Sequence, residues 1–150
     1  MKRRDFIKAS SFGALSISLV PSHILGKKVN KIAPSEKVNL ACIGIGNRGG
    51  SITMSLYKTG LANIVALCDV DMGAPHTLEV LKKFPNVPRF KDFREMFEKM
   101  GKQIDAVSVG TPDFSHFPIT MLAMSLGKHV YVEKPMARTF QEVELMMAGA

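Results

Sequence analysis

The sequence predicts an α/β fold, a doubly wound parallel sheet with helices on both faces, and three observations predict it. Short apolar runs alternate with segments of helical periodicity from Val38 onward, the pattern of successive βαβ units. The runs are nearly continuous in apolar residues rather than alternating, as strands covered on both faces must be. The chain has 150 residues, 46% hydrophobic and 22% charged, close to the globular average and enough to bury one core.

The elements follow in order. Residues 38–44, VNLACIG, form the first strand, and 48–60, RGGSITMSLYKTG, a helix closed by Gly60. Residues 63–69, NIVALCD, are the second strand. Next comes a helix over 74–84, APHTLEVLKKF, with Pro75 near its first turn, where a missing N–H is tolerated. VPRF, 87–90, is a short third strand. The helix over 92–101, DFREMFEKMG, opens on a capping box, Asp92 as N-cap and Glu95 reaching back. IDAVSVG, 104–110, is the fourth strand, followed by a helix over 117–127 opened by Pro118 and closed by Gly127. Its methionines recur at helical spacing and belong to the core. KHVYVE, 128–133, is the fifth strand, and 139–150 is a helix with a second capping box, Thr139 and Glu142.

Residues 1–26 carry the marks of an export signal. Lys2, Arg3, Arg4 and Lys8 make a basic opening, and the apolar run Ala9–Val20 is too short to span a bilayer as a mature helix. Arg3-Arg4 with Phe6 and Lys8 resembles the twin-arginine signal of bacteria, with Lys2 where Ser or Thr is usual and no clear Ala-x-Ala cleavage site. No cysteine stands just after the apolar run, so a lipid anchor is not indicated, no stable membrane anchor is expected, and the expected destination is periplasmic or exported. The twin-arginine route carries proteins that are already folded. Residues 27–37 form a polar linker, and 38–150 the folded domain.

The net charge of +7 owes much to those first ten residues. Elsewhere basic and acidic residues interleave, as in KDFREMFEKMGK. No basic stripe of the kind that binds nucleic acid is present.

The stretch NLACIGIGNRGG holds Gly44-x-Gly46-x-x-Gly49 between a strand and a helix, and Asp69 stands 20 residues beyond Gly49. That combination is the Rossmann-type dinucleotide fingerprint. Gly44 permits the tight turn, Gly46 lets the pyrophosphate approach the backbone, and Gly49 lets the helix pack on the strand. The helix start offers free N–H groups and a positive dipole end. Asp69 accepts from the adenosine ribose hydroxyls and repels a 2′-phosphate, and Val70 supplies no compensating cation, so NAD is favoured over NADP. Asn47 and Arg48 either contact the pyrophosphate or face solvent. Cys42 and Cys68 have no metal-site spacing; packed thiols are expected rather than a disulfide, and no metal site is expected.

The downstream motifs are more specific. Glu133-Lys134-Pro135 follows a strand and the run Gly127-Lys128-His129-Val130, and Thr111-Pro112 with His116 follows the fourth strand. Together with the glycine loop and Cys68-Asp69-Val70-Asp71, they resemble the glucose–fructose oxidoreductase/inositol dehydrogenase (Gfo/Idh/MocA) family from Val38 onward. The resemblance implies that Thr111 and Pro112 line the nicotinamide side with His116 nearby, and that Glu133 touches the nicotinamide ribose. It makes Lys134 both a cofactor contact and the catalytic residue, stabilising a developing alkoxide and assisting proton transfer. Pro135 restricts Lys134 to extended geometry, and in the family this bond is often cis. His76, on an amphipathic helix, and His129 are expected to be structural.

In that family a second α+β domain supplies an Asp and a His to the catalytic group. The chain is therefore expected to be the N-terminal part of a longer protein, incomplete at its C-terminal end and inactive alone. The parent is expected to be an exported, homo-oligomeric, NAD-dependent oxidoreductase acting on a sugar or polyol hydroxyl. An alternative is a glycosidase that retains NAD, oxidises a sugar hydroxyl transiently, eliminates the aglycone, adds water and reduces again. A non-catalytic sugar or cofactor sensor is a third possibility.

Overall fold

The computed structural model describes residues 33–150. The expected signal at 1–26 and the linker up to residue 32 lie outside them. Residues Pro34–Glu36 form one 3-10 turn, closed by the Glu36 N–H donating to Ala33 O at 2.9 Å.

Five parallel strands follow, β1 (Val38–Ile43), β2 (Ala62–Cys68), β3 (Arg89–Phe90), β4 (Ala106–Val109) and β5 (His129–Val132). They lie in the order β3-β2-β1-β4-β5. The helices are α1 (Asn47–Lys58), α2 (Leu78–Lys83), α3 (Phe93–Met100), α4 (His116–Ser125) and α5 (Phe140–Gly149). The sheet grows one way from β1 to β3 and then back through β4 to β5. The reversal opens a crevice between the carboxyl ends of β1 and β4, where ligands of such sheets bind.

The two cores show the double winding. On one face Ile43, Val107 and Val109 pack with Met96 and Phe97 of α3 and Ile119 of α4. On the other, Leu40, Cys42 and Leu67 pack with Val80 and Leu81 of α2 and with Met54 and Leu56 of α1. The cysteines thus belong to opposite faces, although β1 and β2 are neighbours. Both are free and buried. Burial pushes the Cys42 thiol up and the Cys68 thiol up to about 12, as for inert core thiols.

Three local expectations need correction. The helix expected over 74–84 is a 3-10 turn, Pro75–Thr77, followed by α2. The Thr77 hydroxyl donates to Ala74 O at 2.9 Å and accepts the Gly73 N–H at 3.1 Å, a local bonding that competes with regular helix. The capping box at α3 is only half formed. The Asp92 carboxylate accepts from the Arg94 N–H at 2.8 Å, but Glu95 instead pairs with Lys99 one turn on. The third strand is shorter than VPRF, because only Arg89 and Phe90 pair with β2. The capping box at α5 is complete, with Thr139 and Glu142 in reciprocal bonds. The Lys134–Pro135 bond is cis.

Candidate functional site

The glycine loop is built by close approach of backbone to backbone. Gly44 has φ +76°, and a Cβ there would stand 2.5 Å from the Thr111 nitrogen. A Cβ on Gly49 would fall inside the Gly44 carbonyl, and one on Gly110 would stand 2.6 Å from Gly49 Cα. Gly44, Gly49 and Gly110 therefore interlock, pressing the first turn of α1 onto the ends of β1 and β4. The parts expected of Gly44 in the turn and Gly49 in the packing agree with this geometry. Gly110, which sequence reasoning passed over, is the third member; its only signal is a glycine ending an apolar strand just before Thr111-Pro112.

α1 starts without a side-chain cap and without an acidic residue in its first turn. Its N-terminal N–H groups and dipole are thus left for an external anion. Asn47, at φ 44°, turns the chain into the helix, and Asn47 and Arg48 are exposed.

Asp69 faces the same crevice. Its Oδ2 accepts the Ile45 N–H of the glycine loop at 2.9 Å, and its Oδ1 accepts the Asp71 N–H at 3.0 Å. A carboxylate has about four acceptor positions, so two backbone bonds fix its orientation and leave capacity for a diol. The surrounding cavity, about 440 Å³, is walled by Gly46, Asp69, Val70, His76, Thr111 and Phe114, among others. That volume is typical of a small-molecule site.

A second cavity adjoins it, lined by Thr111, Pro112, His116, Glu133 and Lys134. Arg48, Gly110, Thr111 and Pro112 belong to both cavities. Glu133 is buried at 8% exposure. Its Oε1 lies 3.4 Å from Arg48 Nη2 and accepts the Tyr131 hydroxyl at 3.0 Å. Arg48 first and Tyr131 second hold the Glu133 carboxyl below its ordinary range. Glu133 in turn holds the Tyr131 phenol above its own. Lys134, next to it, is exposed in this second cavity.

His116 lines the second cavity together with Thr111 and Pro112. It is 1% exposed, with Nδ1 2.7 Å from Pro135 O and Nε2 2.8 Å from Thr111 O. With both nitrogens turned to backbone carbonyls it joins the loop after β4 to the turn after β5. His76 lies on the 3-10 turn rather than on a regular helix, is exposed, and lines the first cavity. His129 is at the exposed start of β5, away from both cavities.

Three features fit a bound dinucleotide. They are a glycine loop open to the first cavity at Gly44 and Gly46, an uncapped helix start, and the buried Thr111 Oγ1, which has no protein partner. Asp69 lines the first cavity and Lys134 the second, so the two lie along one extended groove joined at Arg48, Gly110, Thr111 and Pro112. Among the described residues, no group of three or more His, Cys, Asp or Glu could hold a metal, and no helix is long and apolar enough to cross a membrane.

Fold and site define a dinucleotide-binding Rossmann domain. The Gfo/Idh/MocA oxidoreductase family, NAD-binding Rossmann fold, matches residues 38–150, and the chain belongs to that family. A glycosyl hydrolase family 109 protein of Solibacter usitatus is 32% identical over 93% of this chain and 34% of its own length. An α-N-acetylgalactosaminidase of Shewanella oneidensis is 30% identical over 93% of this chain and 35% of its own. Among solved structures, a dehydrogenase from Chromobacterium violaceum aligns at a TM-score of 0.69 and 29% identity, covering 77% of this chain and 33% of that one. The chain thus spans about a third of the length of the curated relatives it matches.

Two outcomes follow from the geometry. Replacing Arg48 by Ala will raise the Glu133 carboxyl toward the ordinary Glu range, as read by carboxyl NMR titration. Because the folded-state value is lowered, the stability contributed by the pair is present above the ordinary Glu range. It is lost as pH falls through the lowered value, so wild type and Arg48→Ala converge in acid. Replacing Asp69 by Ala will narrow the preference for NAD over NADP by about tenfold, as a lost hydrogen bond and a lost repulsion require; an unchanged ratio of dissociation constants refutes that role.

Proposed function

We propose that the chain is the cofactor-binding part of an exported enzyme that takes hydride from a sugar or polyol hydroxyl carbon, with Lys134 as its catalytic residue. The observation that carries this reading is the shared wall of the two cavities, which sets Lys134 beside the groove that starts at the glycine loop. Gly44, Gly46 and Gly49 hold the pyrophosphate on the start of α1, with Asn47 and Arg48 at its edge, and Asp69 grips the adenosine ribose. Thr111 and Pro112 line the nicotinamide end, where Glu133 meets the ribose. A bound nicotinamide supplies the hydride acceptor. The Lys134 ammonium stabilises negative charge on the substrate oxygen and relays the hydroxyl proton. His116 holds the turn that carries Lys134.

A second reading, a glycosidase that retains its NAD, is favoured by the two relatives at 32% and 30% identity. It uses the same first step on a sugar hydroxyl and differs in returning the hydride. The full-length parent separates the two. Net NADH formation from a free sugar supports the dehydrogenase, and aryl-glycoside cleavage without net NADH supports the glycosidase. In either case Lys134→Ala is expected to lower kcat about 10²- to 10⁴-fold, the usual scale for a lost general acid–base group. A variant that keeps the activity of the parent removes Lys134 from the mechanism.

Export by the twin-arginine route is supported by Arg3-Arg4, Phe6, Lys8 and the short apolar run after them. Changing both Arg3 and Arg4 to Lys will leave the protein in the cytoplasm of its host, measured by cell fractionation. Undiminished export of that variant rejects the signal.

A further inference from the structure

Gly46 is expected to be bare so that phosphate can reach the backbone, yet the space above it is not open. The edge of the His76 imidazole lies there, with Cδ2 against the position a Cβ would take and Nε2 3.0 Å from it. The contact joins residues 30 apart in sequence, which is why no local pattern announces it.

His76 does not hold its own turn together. Thr77, fully buried, does so through its bonds to Ala74 and Gly73. The hydrogen bonds made by histidine rings within the described residues belong to His116. An exposed ring with uncommitted nitrogens, placed on the phosphate-facing glycine, is poorly explained by packing.

The charges around it sharpen the point. Asp69 and Asp71 line the same cavity and repel a diphosphate. Arg48 lines it too, but its guanidinium is paired with Glu133. Lys91 is the other basic side chain on the wall. A donor at His76 offsets the two carboxylates where the phosphates meet the loop.

We propose that His76 is a further cofactor contact, donating a ring N–H to the diphosphate bound on the glycine loop. It rests on the reading of that loop as the cofactor site. Its ring lies against Gly46, the N-cap of α1, so the phosphates are held at one helix start by backbone N–H groups and by imidazole together.

Calorimetric titration of the protein with NAD, ADP-ribose and AMP tests this. His76→Ala should weaken NAD and ADP-ribose by about tenfold or more, the loss expected for one hydrogen bond to a charged group. AMP, which lacks the diphosphate, should weaken by less than about threefold on the same scale. His76→Gln, which keeps a donor, should recover most of the affinity, and the unfolding midpoint of both variants should match wild type. Unchanged NAD affinity in His76→Ala, when Asp69→Ala does weaken NAD, overturns the proposal and leaves the cofactor site standing. Equal weakening of all three ligands also overturns it. Failure of the wild type to bind NAD overturns this proposal and the cofactor reading together.

Discussion

The structure depends on three backbones meeting without side chains between them. The carbonyl of Gly44, the Cα of Gly49 and the position of Gly110 occupy space that a single methyl group on Gly49 or Gly110 would need. Protein interiors do not yield such volume without displacement of main chain. This contact brings the start of α1 to the point where the sheet reverses between β1 and β4. Were it looser, the free N–H groups of α1 would point at solvent rather than across the crevice.

The remaining site residues are positioned relative to that contact. Asp69 is locked to the loop by the Ile45 N–H, so the carboxylate and the phosphate cradle keep a fixed separation. Arg48 leaves the first turn of α1 and reaches Glu133 at the end of β5, tying the outermost strand to the central helix. Its side chain is 72% exposed while that of Glu133 is 9% exposed. The pair therefore serves more to orient Glu133 than to stabilise the fold, as solvent-facing ion pairs contribute little. Thr111 lines both cavities, with a buried hydroxyl that has no protein partner.

Much of this was legible in the sequence because the constraints act on residue type at one place. A left-handed turn at Gly44 and a methyl-free contact at Gly49 admit little but glycine, and an acid ending β2 is visible beside its strand. The strand and helix order followed from apolar runs separated by caps and glycines. What sequence could not show was contact across distance. His76 meets Gly46, and Arg48 meets Glu133 from 85 positions away; nothing in either local pattern encodes the pairing. Near neighbours could mislead as well. Asp92 and Glu95 have capping-box spacing, but Lys99 lies one turn beyond Glu95 and wins it. His116 was found by its motif, while its depth and its two carbonyl partners needed coordinates.

β5, like β3, is held along only one side by strand pairing among the described residues. The ring of His116 compensates from within, spanning Thr111 O and Pro135 O. The lysine one residue before Pro135 takes its bearings from an inner strand as well as from the peripheral one that carries it. Like a stay fastened to a mast rather than to the rail, the imidazole transmits any shift of the β4 exit to the lysine. The geometry of that turn is thereby inherited from a strand paired on both sides.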